Sequence, residues 1–267
     1  MKPMDLVQHN ILLSWTSKRQ FSHEHFLGEH SLSMLISGEG RVYNNDETHI
    51  YTPGSIGLLK RNQLAKSLKM PSKDGKPFKT IGIMLDQESL KQYSLEHDIV
   101  TATPYTGKGM LHLQPDRFLA GFFDSLLPYF DQPEKLTERL GELKTREAIE
   151  LLLAHDPRLR SLLFDFSEPF KIDLGNYMMN HFTYNVSLEQ FAKLTGRSLS
   201  TFNRDFKKTF SQTPEKWLKE MRLEKAHFLI EEKNQKPSDV YMHVGFKNFS
   251  HFSTSFKEKF GYNASAV

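Results

Sequence analysis

The last third of the chain repeats one pattern of apolar and polar positions. From Ser187 it reads SLEQFAKLTGRSLSTFNRDFKKTF, and from Pro237 it reads PSDVYMHVGFKNFSHFSTSFKEKF. Apolar residues fall at Leu199, Phe202, Phe206 and Phe210 in the first copy, and at Phe249, Phe252, Phe256 and Phe260 in the second. Steps of three, four and four mark one face of an α-helix. Each copy therefore predicts a short helix, a turn at Gly196 or Gly245, and a longer helix whose apolar stripe backs a polar face. The longer helices align at an offset of fifty residues and the shorter ones at forty-nine, because the turn after Gly245 has one more residue. Two such units in tandem predict a pair of helix-turn-helix motifs.

Between the copies, residues 213–233 predict one long helix. Thr213 suits the N-cap, and Pro214 sits at the first helical position, where a missing N–H costs nothing. Trp217, Leu218, Met221, Ala226, Phe228, Leu229 and Ile230 place apolar groups on more than one side. That suits a spacer packed between two subdomains. At 1.5 Å per residue its length is roughly 30 Å, close to one turn of B-DNA.

The first 113 residues read differently. Short apolar runs at Ser31–Ser37, Arg41–Tyr43, His49–Tyr51, Ser55–Leu59 and Phe78–Leu85 are punctuated by Gly38-Glu39-Gly40 and Pro53-Gly54, and they predict strands of a small antiparallel barrel or sandwich. Gln87–His97 predicts a helix attached to it. Helical spacing returns at Phe118, Leu119, Phe122, Phe123, Leu126 and Leu127, before Pro128. It returns again at Leu136, Leu140, Leu143, Ile149, Leu152 and Leu153. These two amphipathic helices either cap the barrel or pair between protomers. Asp165–Lys171 (DFSEPFK) predicts a linker.

Composition narrows the function. A length of 267 residues with 38% hydrophobic and 25% charged side chains suits an ordinary two-domain globular protein. No apolar run approaches a membrane span, and the N-terminus has no signal-peptide core. The expectation is a cytoplasmic protein with no membrane partner. The absence of cysteine excludes a disulfide framework, thiolate metal sites and cysteine catalysis. The net charge is +3, unevenly placed: residues 168–267 hold 15 Lys and Arg against 11 Asp and Glu, and the first 167 hold 20 against 21. The basic excess thus lies where phosphate contacts are needed.

A helical wheel with 100° per residue sets the polar faces. Opposite the first stripe lie Ser200, Thr201, Arg204 and Lys208, with Asn203 and Lys207 at the edge. Arg204 can fork onto guanine O6 and N7, Asn203 can pair with adenine, and Lys207 and Lys208 suit phosphates. The second helix turns Ser250, His251, Thr254 and Glu258 outward, with Ser253 and Lys257 at the margin. This face is smaller and less basic, so it is expected to contribute less base-specific affinity. The partner these faces predict is double-stranded DNA.

Residues from about Lys171 to Gly261 resemble the DNA-binding domain of the AraC/XylS family of bacterial transcription regulators. The matching residues are Leu188, Ala192 and Gly196, then Phe202, Arg204, Phe206 and Lys207, the Thr213-Pro214 start, Arg222 and Ala226 in the spacer, Gly245-Phe246, and the closing HFSTSFKEKFG. The resemblance implies seven helices, with readers at about 198–210 and 248–260. The chain departs from the family at Pro237, Tyr241, Thr254 and Asn263-Ala264. Tyr241 is expected to change packing in the second unit, and Thr254, in place of a frequent Arg, to weaken its reading.

GEHSLSMLISGEGRVY and YTPGSIGLLKRNQLAKSLK resemble the cupin-like sensing and dimerisation domains of the same family. The implied fold class is α+β: an N-terminal cupin-like antiparallel β-barrel with following helices, then an all-α domain of two helix-turn-helix units joined by a long helix. The expected boundaries are 1–113 for the regulatory domain, 114–164 for the helical dimerisation or capping segment, 165–171 for the linker and 172–267 for the DNA-binding domain. The function implied is a sequence-specific transcription regulator, an activator, controlled by an effector or partner acting on the N-terminal domain. It implies a homodimer through the barrel and middle helices, and RNA polymerase as a partner of an activator. The alternative is a cupin-type metal- or small-molecule-binding protein or enzyme with a helical appendage. His23, His25 and Glu29 have metal-cupin spacing, but GSIGLLKRN has no matching His, so no metal, cofactor or catalytic residue is expected. His30 is expected to make a structural contact.

Overall fold

Apolar rows running across neighbouring strands organise the N-terminal half. Ile11, Ile83, Leu32 and Leu58 lie in register on four adjacent strands, all fully buried. Leu13, Ile81, Met34 and Ile56 form the row beside them. The fold comes from a computed structural model, which describes residues 4–22, 26–44, 47–100, 105–169 and 171–266. Its strands are β1 (Met4–Gln8), β2 (Ile11–Thr16), β3 (Gln20–Phe21), β4 (Phe26–Leu27), β5 (His30–Ser37), β6 (Glu39–Asn44), β7 (Glu47–Tyr51), β8 (Ile56–Leu59), β9 (Gln63–Leu64), β10 (Lys66–Met70), β11 (Phe78–Leu85) and β12 (Met110–Leu113). Six form an antiparallel sheet in the order β1-β2-β11-β5-β8-β12, and four form a second, β3-β10-β6-β7.

Three longer helices and one short helix accompany the sheets: α1 (Gln87–Glu96), α2 (Arg117–Leu126), α3 (Glu138–His155) and α4 (Arg160–Leu163). Asp86, Asp116 and Thr137 cap the first three through their side-chain oxygens. After Leu126 the chain tightens into a 3-10 turn containing Pro128. Leu119, Phe122, Phe123, Leu126, Ile149 and Leu152 are buried in the core that contains Ile11, Leu32 and Ile83. The middle helices thus share the β domain's own core. Phe118 and Leu143, at two of the apolar positions read from the sequence, remain exposed. Gly141 of α3 abuts the β1–β2 turn so closely that a Cβ there would collide with the His9 carbonyl oxygen.

Polar groups fasten the end of this unit. Arg61 is buried and donates from Nη2 to the carbonyls of Asp165 (2.9 Å) and Ser167 (3.0 Å). Its backbone N–H donates to His30 Nδ1 at 3.3 Å, so His30 makes a structural contact inside the domain. His23 and His25 lie outside the described residues. Among the described ones no group of three His, Asp or Glu is placed to hold a metal.

The chain divides into two compact units, residues 27–167 with the three N-terminal strands β1, β2 and β3 in one and residues from 168 onward in the other. The second is all helical: α5 (Leu174–His181), α6 (Leu188–Leu194), α7 (Leu199–Phe210), α8 (Pro214–Glu231), α9 (Pro237–His243) and α10 (Phe249–Phe260). Among the described residues, six α-helices and a closing 3-10 turn at Ala264–Ala266 stand where the resemblance implied seven helices. Three residues complete only one such turn. Among the described residues no helix is long and apolar enough to cross a membrane.

Candidate nucleic-acid interface

The first unit is built by its caps. Ser187 and Gln190 form a reciprocal capping box at the start of α6, with Gln190 N donating to Ser187 Oγ and Ser187 N to Gln190 Oε1. Ser198 caps α7 by accepting from Thr201 N, and Ser211 in the left-handed conformation ends it. Phe202 and Phe206 are fully buried. Phe206 meets Trp217 of α8 edge-on at 5.5 Å, and Phe210 lies 4.5 Å from the same indole. With that side anchored, Ser200, Asn203, Arg204, Lys207 and Lys208 face solvent, and Thr201 is half-buried beside its cap.

The second unit repeats the arrangement with different chemistry. Asn248 caps α10 by accepting from His251 N at 3.1 Å, and Gly261 ends it at φ +85°. Phe252 and Phe256 are fully buried, and Ser250, His251, Thr254 and Lys257 are exposed. Glu258 pairs with Lys219 at 3.3 Å, and Lys259 with Glu224 at 2.8 Å, so both tie α10 to α8. The first residue of each stripe behaves differently from the rest: Leu199 and Phe249 are 36% and 42% exposed. Each occupies the first helical position, at the edge of its core. Tyr241, the departure in α9, turns its ring edge-on to Phe249 at 5.4 Å and so covers part of that end.

Helix α8 serves both cores. Trp217 and Leu218, near its start, are buried on the side of Phe206 and Phe210. Leu223, Ala226, Leu229 and Ile230 join Val240, Val244, Phe252 and Phe256 in the second core. Its 18 residues span about 27 Å.

One cluster beside α7 is not visible in the sequence pattern. Asp205 Oδ2 lies 3.1 Å from both Lys171 Nζ and Arg197 Nε, and Oδ1 lies 3.6 Å from Arg204 Nε. Lys171, then Arg197, hold the Asp205 carboxyl below its usual range. Arg197, nearly buried, also donates to the carbonyls of Ile172 and Thr195. The available signal was the lone acid within NRDFKK, but its two nearer partners, Arg197 and Lys171, lie eight and thirty-four residues away.

Comparison with known proteins adds to this geometry. Residues 191–267 match a family described as a helix-turn-helix domain, and residues 30–163 match the ExsA N-terminal regulatory domain. The chain is 26% identical over 242 residues to the HTH-type transcriptional regulator ExsA of Pseudomonas aeruginosa, spanning 87% of this chain and 84% of that protein. It is 31% identical to the HTH-type transcriptional activator RhaS of Escherichia coli O157:H7 over 87 residues, 33% of this chain and 31% of RhaS. Among solved structures, an apo ToxT variant from Vibrio cholerae covers 97% of both chains with a TM-score of 0.48 at 14% identity. The ExsA-type match alone spans half of the chain, and the helix-turn-helix match follows it: the chain belongs to the AraC/XylS family of transcription regulators, with an N-terminal domain of the ExsA type.

Proposed function

We propose that this regulator activates transcription by placing α7 and α10 in successive major grooves of double-stranded DNA. The observation that supports this reading is the pair of exposed polar faces, each backed by two fully buried phenylalanines and both packed on one helix. Arg204 and Asn203 read base edges from α7, Ser200 and Thr201 assist, and Lys207 and Lys208 hold phosphates. Ser250, His251 and Thr254 form the weaker second reader, with Lys257 on the backbone. The DNA-binding domain runs over 172–267, the linker over 165–171, and the segment 114–164 joins the regulatory domain 1–113 in forming a homodimer. Residue 170 lies outside the described residues. As an activator, supported by the naming of RhaS, it engages RNA polymerase in the bacterial cytoplasm. An effector or partner protein acting on the N-terminal domain shifts it between DNA-competent and incompetent arrangements.

Selection of duplexes from a random pool by the full-length protein tests the core of this reading. Two conserved elements about one helical turn apart are expected. Enrichment of one element alone refutes the role of α10, and enrichment of none, by the full chain and by residues 168–267, refutes both readers.

A further inference from the structure

Arg222 stands midway along α8, and its side chain bonds outside its own helix. The guanidinium donates from Nε to Phe182 O and from Nη2 to Tyr184 O, both at 2.8 Å. Those carbonyls lie in the loop between α5 and α6, five and three residues before the Ser187 cap of the first unit. Gly245, in the turn of the second unit, approaches the same guanidinium. A Cβ on Gly245 would stand 2.7 Å from Thr183 O, 2.9 Å from Arg222 Nε and 3.1 Å from Arg222 Cζ. Gly245 also has φ +97°, where side chains other than glycine are strained. Three residues after it, Asn248 caps the second reading helix.

Burial pushes the guanidinium down to about 10. Among the described residues its hydrogen-bond partners are carbonyl oxygens and no carboxylate pairs with it. A half-buried cation without an anion is costly, and hydrophobic residues of similar volume would fill the space more cheaply. A planar fork does what they cannot: it fixes the angle between two carbonyls and the helix that bears it.

We propose that Arg222 and Gly245 form the junction that sets the spacing and phase between the two reading helices. Arg222 is thus a positioning residue for half-site spacing, an inference that rests on the two-reader reading above. Helix α8 packs on both cores and sets a distance, but one helix between two cores leaves the angle between the units to be fixed. The junction ties the first unit's loop, the middle of α8 and the second unit's turn together, and removes that freedom. One base pair added between the elements rotates the second by about 35° around the duplex. A locked pair of readers cannot follow that rotation, whereas a pivoting pair can.

The test uses full-length protein and three kinds of duplex: the selected site, the same site with one base pair added or removed between elements, and a site whose second element is scrambled. Wild type is expected to lose at least about tenfold in affinity when the spacing changes. Arg222→Lys keeps the charge and loses the fork. It should bind the scrambled site within about threefold of wild type, while its spacing penalty shrinks below about threefold. Gly245→Ala should act in the same direction. A spacing penalty unchanged in both variants overturns the junction while the two readers stand. A wild type indifferent to scrambling of the second element instead overturns the two-reader reading, and the inference with it.

A second measurement does not depend on DNA binding. The chain has no cysteine, so Lys208→Cys and Lys257→Cys allow spin labels on α7 and α10 alone. With Arg222 intact and no DNA present, one narrow distance distribution is expected. A broad distribution overturns the proposal.

Discussion

Arg204 and Lys208 share the outer face of α7 and should fail differently when removed. Arg204 is 76% exposed, and its planar fork suits guanine. Arg204→Ala is expected to cost about 1–3 kcal/mol of binding and to relax preference at one base pair. Lys208→Ala should weaken all sequences alike and make the salt slope shallower by about one. Titrations against a panel of single-base variants at several salt concentrations separate the two. A uniform loss for Arg204→Ala would show that it holds phosphate.

His30 sets a pH dependence of a different kind. Burial, then the Arg61 and Lys60 cations, push its imidazole down to about 3, although Asp165 opposes this. Glu29 is its chain neighbour on the same strand's approach. In the unfolded chain the ring takes its proton near pH 6.5. As pH falls from 6.5 toward 3 the unfolded state therefore binds a proton that the folded state refuses, and stability drops by about 1.4 kcal/mol per pH unit. Above pH 6.5 this group contributes nothing to the slope. Urea unfolding at pH 7, 6 and 5 should show His30→Gln losing about one proton's share of the wild-type slope. Equal slopes would show that the imidazole titrates normally in the folded protein.

At the scale of elements, α7 and α10 are held in place by their buried phenylalanines. Phe206 is fully buried and meets Phe202, Phe210 and Trp217. Phe206→Ala is expected to destabilise the helical unit by about 3–5 kcal/mol, read by urea unfolding of residues 168–267. A loss below 1 kcal/mol would mean that the unit collapses onto the gap.

The same stripes show how far local pattern reaches. Three of four positions in each lie in or against the core, and the first of each is half-exposed because the stripe begins at the helix end. Strand β2 was harder to read. ILLSWT offers apolar residues in succession rather than in alternation. Its identity as a strand depends on β1 and β11, which pair with it on either side. Lys66–Met70 has one buried residue, Leu68, among half-exposed ones, and it becomes strand β10 between β3 and β6.

For the whole molecule, the uneven charge and the separate cores lead to one expectation. The unit from residue 168 onward holds the entire basic excess and buries its own phenylalanines. Residues 168–267 alone should enrich the same base preferences as the full chain in a random-pool selection. Different preferences from the two would assign part of the base reading to the N-terminal half.

Family, architecture and the solvent-facing sides of α7 and α10 were legible in the sequence alone. Periodicity is a local property: it says which side of a helix avoids water, and capping residues say where the helix begins. It is silent about partners forty residues away. Only the tertiary structure brought Arg222 to the carbonyls of Phe182 and Tyr184, Asp205 to Lys171 and Arg197, and Arg61 to His30 and Asp165. A charged side chain reads as solvated surface until the fold removes its water. What then replaces the water depends on long-range packing, which no local spacing encodes.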